Sequence, residues 1–167
     1  ISLFSLTVIS CAKEDDSSSS DNSSSTTSSS SSSGLFVAVG ASGTLLTSPD
    51  AITWTSRTSG TSNNLRSFAV KPSTIGVVVG YSGTILTSTD GITWTSRTSG
   101  TSKNINNVAY GNSKFIAVGD NGTTLSSSDG ITWTDWTSSC GANNNESLWD
   151  VAYGSSTWVA VGDNGSI

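Results

Sequence analysis

The sequence predicts an all-β fold, a β-propeller of four-stranded antiparallel blades, on three observations. From residue 34 onward it repeats itself: Trp54, Trp94 and Trp133 are spaced 40 and 39 apart, as are Asp50, Asp90 and Asp129. The pair Val-Gly recurs in step, at Val39-Gly40, Val79-Gly80, Val118-Gly119 and Val161-Gly162. Each period also holds four short runs rich in Val, Ile, Thr and Trp, bounded by Gly, Asn, Ser or Pro, and none reaches the length of an ordinary helix. In the second period these are 65–70, 75–80, 84–88 and 92–98. Four antiparallel strands in roughly 40 residues make one propeller blade.

What precedes the repeats reads as an address and a tether. Residues 1–10 (ISLFSLTVIS) are apolar and uncharged, but a membrane-spanning helix needs about 20 such residues. The run fits the hydrophobic part of an export signal, here partial, without its basic start. Cys11 follows Val8, Ile9 and Ser10: an aliphatic residue, a tolerant position, a small residue, then Cys. This order resembles the lipobox of bacterial lipoproteins. The resemblance implies cleavage before Cys11, lipidation of Cys11, and the membrane as a partner through multi-chain anchoring that one acyl chain does not provide. Cys140 is then a lone thiol; the alternatives are an ordinary buried Cys11 or a bridge between the two cysteines. In the segment 11–33, positions 17–33 contain 13 Ser and no apolar side chain. Burial cannot offset chain entropy in such a stretch, so it is expected to stay a flexible coil. Residues 12–33 would span roughly 26 Å, enough to hold a domain clear of a membrane surface.

The domain from 34 to 167 holds about three and a third periods. Blades must stack radially, and rings typically close with about 4–8 of them. The expectation is therefore a truncated propeller. Its hairpins are marked by Asn121-Gly122 and Asn164-Gly165, with Ser42-Gly43 and Ser82-Gly83 in the same place in other blades. Gly and Asn tolerate the positive φ that primed turns require.

Between the third and fourth strands stand Ser48-Pro-Asp50-Ala-Ile-Thr-Trp54, Ser88-Thr-Asp90-Gly91-Ile-Thr-Trp94 and Ser128-Asp129-Gly130-Ile-Thr-Trp133. These resemble the Asp-box of BNR repeats, with the third copy read as shorter and the first carrying Ala51 in place of Gly. An Asp carboxylate can accept turn N–H groups, Gly relaxes the φ restriction, and Trp packs between strands while its indole N–H seeks an acceptor. A catalytic group need occur only once, so Asp50, Asp90 and Asp129 read as framework. Among BNR-type propellers, VAYGNSKFIAVGDNG (108–122) and VAYGSSTWVAVGDNG (151–165) are similar to the photosystem II stability/assembly factor-like group. That resemblance implies a fold, and function does not travel with it.

Composition removes several activities. Histidine is absent and cysteine occurs twice, so neither a Ser/His/Asp or Cys/His triad nor a His- or Cys-rich zinc site can be assembled from these residues. Seven basic residues and a net charge of −5 offer no block to neutralise phosphates, so no nucleic-acid partner is expected. GDNG at 119–122 and 162–165 lacks the further carboxylates of a calcium loop. No metal, cofactor or catalytic residue is expected. Sialidases are built from Asp-box propellers, and that resemblance implies clustered arginines, an acid/base Asp and a Tyr activated by Glu. Here only Arg57, Arg66 and Arg97 are present, and Glu146 is the one Glu after the tail.

In a propeller the inter-blade loops and the hairpins between second and third strands share the face opposite the Asp turns. The candidate ligand face is accordingly Arg57, Arg97, Trp136, Asn144 and Glu146 from inter-blade loops, joined by Tyr81, Asp120 and Asp163 from hairpins. The third loop departs most from the repeat; Trp136 with the Asn cluster offers a stacking surface for a sugar or peptide, or is an insertion the surface tolerates. Trp149 and Trp158, on strands, are expected in the core. The reading is a cell-envelope lipoprotein, exported to an outer membrane or cell surface, presenting a non-enzymatic binding or assembly scaffold for a protein or glycan. The alternative is a carbohydrate-active hydrolase with its catalytic residues in further blades.

Overall fold

The computed structural model describes residues 8–9, 35–137 and 146–165. The first sheet contains β1 (Val8–Ile9), β2 (Phe36–Val39), β3 (Leu45–Ser48) and β4 (Thr55–Ser56). The second contains β5 (Leu65–Lys71), β6 (Ile75–Gly80), β7 (Ile85–Ser88) and β8 (Thr95–Arg97). The third contains β9 (Ile105–Gly111), β10 (Lys114–Gly119), β11 (Thr124–Ser127) and β12 (Thr134–Asp135), and β13 (Leu148–Gly154) pairs with β14 (Thr157–Gly162). Each sheet is an antiparallel meander in chain order. These are propeller blades, and β9 lies against both β5 and β13, so the first strands of successive blades line the inner side of the arc.

The apolar runs are explained by burial on both faces. Along β6, Val77 and Val79 enter the core between the second and third blades, while Val78 enters the core between the first and second. Along β10, Phe115 and Ala117 face the second blade, and Ile116 and Val118 face β13 and β14. A strand buried on both faces needs a continuous apolar run, and each fully buried Val or Ile stabilises the fold by about 1.5–3 kcal/mol.

The expected strand 92–98 is shorter, starting at Thr95. The N–H groups of Ile92 and Thr93 are taken by the Asp90 carboxylate, which removes them from pairing with β7 and leaves Ile92 exposed. The expected strand 84–88 starts at Ile85 instead, because the Thr84 N–H closes the preceding turn on the Tyr81 carbonyl. From the run expected to be an export signal, Val8 and Ile9 pair with Ala38 and Val37, the place that β5 holds in the second blade. Cys11, the tether, Cys140 and Asn144 lie outside the described residues.

Candidate functional site

The turns at one end of the blades are built around their aspartates. Asp50 Oδ1 accepts the Ser48 hydroxyl at 2.8 Å and the N–H groups of Ile52 and Thr53 at 2.9 and 2.7 Å. Asp90 accepts the equivalent three bonds from Ser88, Ile92 and Thr93, each at 2.8 Å. The indole N–H of Trp54, Trp94 and Trp133 donates to the carbonyl of residue 51, 91 or 130, closing each turn on itself. In the third blade the hydroxyl that reaches Asp129 belongs to Ser127, at 2.9 Å, rather than to Ser128. The third copy is therefore the same length as the second, Ser127-Ser-Asp129-Gly130-Ile-Thr-Trp133, and Ser128 occupies the place of Pro49 and Thr89.

The residue after each Asp is left-handed, at φ 59° for Ala51, 70° for Gly91 and 76° for Gly130. Gly130 has a second requirement, since a Cβ there would lie 2.9 Å from Val77 Cγ2 and 3.3 Å from the Phe115 ring. The turn of the third blade thus seats on the core that blade shares with the second.

These carboxylates are acceptors, with no proton to offer near neutrality. Backbone N–H bonds from Thr53, Thr93 and Thr132, then from Ile52, Ile92 and Ile131, hold the acids of Asp50, Asp90 and Asp129 down at about 2, from an ordinary 3.8. Groups whose folded pKa lies below the unfolded one stabilise the fold above the unfolded value, and the contribution is lost as pH falls through the folded value. The thermal midpoint, followed by circular dichroism, is expected to hold above about pH 4 and to fall between roughly pH 4 and pH 2. In Asp90→Asn it should start lower and fall less over that window.

The opposite end joins hairpins to inter-blade loops, as the repeat predicts. Ser42-Gly43, Ser82-Gly83 and Asn121-Gly122 all have positive φ, and the N–H of Thr44, Thr84 and Thr123 closes each turn on the carbonyl of Ala41, Tyr81 and Asp120. These are primed turns, whose twist suits a two-residue hairpin. Each docks on the loop that leads to the next blade: Gly43, Gly83 and Gly122 donate to the carbonyls of Asn63, Lys103 and Glu146 at 2.9, 2.7 and 2.6 Å.

Several of the expected ligand residues serve the framework. Arg57 Nε donates to Thr47 Oγ1 at 2.8 Å and Arg97 Nε to Thr87 Oγ1 at 2.9 Å, laying both side chains across the third strand of their own blade. Trp136 is half-buried and packs against the cluster of Ile116, Val118, Leu148 and Val151, with the Lys114 ammonium 5.2 Å from its ring centroid. Tyr81 and Asp120 lie on the expected face, and Glu146 places its carbonyl there.

What the sequence reading missed is a β-bulge repeated in every inner strand that pairs fully. Leu65 pairs with Gly80 and Ser67 with Val79, leaving Arg66 unpaired. Asn106 is left out in the same way between Ile105 and Asn107, and Trp149 between Leu148 and Asp150. A bulge re-aims the side chain it carries. Each of these meets the first residue beyond its partner strand. The Arg66 guanidinium sits 4.9 Å from the Tyr81 ring centroid, Asn106 Nδ2 donates to Asp120 Oδ1 at 2.9 Å, and Trp149 Nε1 donates to Asp163 Oδ1 at 2.7 Å. Trp149 is 46% exposed, contrary to its expected place in the core, whereas Asn106 at the same bulge is buried; Trp158 packs against the cluster of Ile116, Val118, Leu148 and Val151. Superposing the repeats would have put Arg66, Asn106 and Trp149 in one column of unlike residues.

The meander blades and their stacked inner strands define a β-propeller. No family model matches the chain, and no curated protein matches it. Among solved structures it is similar to YCF48 from Cyanidioschyzon merolae, with a TM-score of 0.60 and 20% identity over 80% of this chain and 46% of that one. It is also similar to YCF48 bound to D1 peptide, at a TM-score of 0.60 and 19% identity, over 78% of this chain and 46% of that one. The chain thus spans less than half the length of the structures it matches, and the likeness is one of fold.

Proposed function

We propose that the chain is an exported, lipid-anchored scaffold whose propeller binds a protein segment on the hairpin and loop face and carries out no chemistry itself. The observation that supports this reading is a division between the two ends of the blades. At one end an identical Ser-Asp-Trp turn is spent on its own backbone in each of the three four-stranded blades. At the other, equivalent positions carry unlike side chains on an unchanged backbone. Asp120 accepts from the amides of Asn104 and Asn106 at 2.8 and 2.9 Å, one on each oxygen, and so is a positioned acceptor. A solved propeller of this fold is described as bound to a peptide, which favours a protein partner over a glycan. The envelope location rests on the residues before and including Cys11.

Photo-crosslinking in the source envelope tests both parts, using the full chain with the reactive group at Ser82 on the hairpin face or at Thr89 in an Asp turn. Protein crosslinks are expected from Ser82 and not from Thr89, in the membrane fraction, with Cys11→Ser releasing the chain to the soluble fraction. Crosslinks confined to Thr89, or glycoside hydrolysis by the full chain, would overturn the reading.

A further inference from the structure

We propose that the Asp-turn end of the propeller is the face laid against the membrane, with Ile52, Ile92 and Ile131 as its contacts with lipid. This rests on the lipid-anchored scaffold reading above and gives that scaffold its orientation.

The three isoleucines occupy the same place in successive turns, and the N–H of each donates to the turn carboxylate, at 2.9, 2.8 and 2.8 Å. That bond asks for a backbone N–H, which any residue but proline supplies, so the turn makes no demand on the isoleucine side chains. They belong to none of the three buried clusters and are 84%, 56% and 44% exposed. Ile92 and Ile131 stand in blades with a neighbour on either side, so their exposure is not that of an open edge. Equivalent points on blades set radially about one axis lie at one height along it. Three apolar tips at one height suit a flat apolar layer.

The chain also reaches the propeller at this end. Phe36, which opens β2, pairs with Ser48, whose hydroxyl holds the first Asp turn. Leu35 lies so close to the second turn that a Cβ on Gly91 would overlap its Cδ2. A tether from Cys11 therefore joins the domain at the Asp turns. Residues 12–33 would span roughly 26 Å as the coil their composition predicts, and a six-residue strand such as β6 runs about 20 Å. With the Asp turns toward the membrane, the whole of that span is available; with the hairpins toward it, most would be taken up in passing the blades. Three carboxylates stand at this end, so attraction to anionic headgroups does not drive the contact. Each already accepts three hydrogen bonds, and the apolar tips between them enter the headgroup and acyl boundary. This orientation turns the hairpin and loop face outward, toward its partner.

The lipidated full chain on phosphatidylcholine vesicles tests this. In a Cys140→Ser background, Thr89→Cys or Ser82→Cys, both at exposed positions, carries a fluorophore that brightens in apolar surroundings. Emission from position 89 is expected to rise and shift to the blue on vesicles, and emission from position 82 to stay as in solution. Replacing Ile52, Ile92 and Ile131 together by Ser should abolish the shift at position 89 while Cys11 keeps the chain on the vesicles. The isoleucines are exposed, and a matching circular dichroism spectrum confirms that the triple variant folds. A shift at position 82 instead, a shift at neither position, or a shift at position 89 that survives the triple substitution would overturn the inference. Protein crosslinks from Thr89 in the envelope would put a protein on the isoleucines and overturn it too. Lipidated chain that leaves the vesicles would remove the anchor itself, and with it both readings of the membrane; the scaffold's protein partner is judged separately, by the crosslinks from Ser82.

Discussion

Replacing Phe115 by alanine is expected to destabilise the fold by about 3–5 kcal/mol, the usual range for emptying a buried aromatic site. Phe115 is fully buried on β10, with ring centroids 4.8 Å from Tyr110 and 6.3 Å from Trp133. It also belongs to the cluster with Val77, Val79 and Ile85 that joins the second blade to the third. The cavity would therefore open at a blade interface, where each blade depends on its neighbour for a covered face. Domain stabilities are typically about 5–15 kcal/mol, so the loss is a large part of the whole. Urea unfolding followed by tryptophan fluorescence should show a midpoint far below that of the unsubstituted chain. A midpoint within experimental scatter of the original would mean that the interface between these blades contributes little to stability.

That same residue shows how far the sequence was legible. The blades were readable because a repeat states each strand several times; that Val77, Val78 and Val79 are covered on both faces emerges only from the packing. Column-by-column reading of the repeat fails where volume moves between columns. Gly76 occupies the position of Phe115 one blade earlier, and a Cβ there would sit 2.7 Å from the Phe68 ring. Phe68 fills beside Trp94 the room that Phe115 fills beside Trp133, each pair with centroids 6.3 Å apart. The ligand face was harder to read for a related reason. A one-residue bulge shifts Arg66, Asn106 and Trp149 out of strict alternation and leaves no composition signal. Trp136, in the irregular loop, packs against Ile116, Val118 and Leu148, and Trp149, on the strand, is exposed. Ser127 and Ser128 were indistinguishable by type, and only the hydrogen bond to Asp129 decides which holds the turn.

Gly83→Ala should be nearly as costly, for a reason visible only in three dimensions. Gly83 and Gly100 both have positive φ, 69° and 80°, and alanine in that region costs roughly 1–2 kcal/mol at either site. The surroundings differ. A Cβ on Gly100 meets nothing within 4 Å, whereas one on Gly83 would overlap the backbone carbonyl oxygen of Thr101 and come within 2.8 Å of Ser99 Oγ. Backbone cannot rotate away as a side chain can, and the Gly83 N–H is bonded at 2.7 Å to the Lys103 carbonyl of the same loop. Relief therefore requires the loop to lift from the hairpin, adding about 1–3 kcal/mol of overpacking. Gly100→Ala is the control within that loop, since it carries the backbone penalty alone. Thermal unfolding should rank the unsubstituted chain above Gly100→Ala and Gly100→Ala well above Gly83→Ala. Equal midpoints for the two variants would show that the loop is not held against the hairpin. The effect should also reach the ligand face: the Ser82 N–H, next to Gly83, is fixed at 3.1 Å by Asn104 Oδ1, and Asn104 also holds Asp120. Lifting the loop loosens both, so Gly83→Ala should lower the protein crosslinking proposed for Ser82 even below its unfolding midpoint, whereas Gly100→Ala should leave it intact.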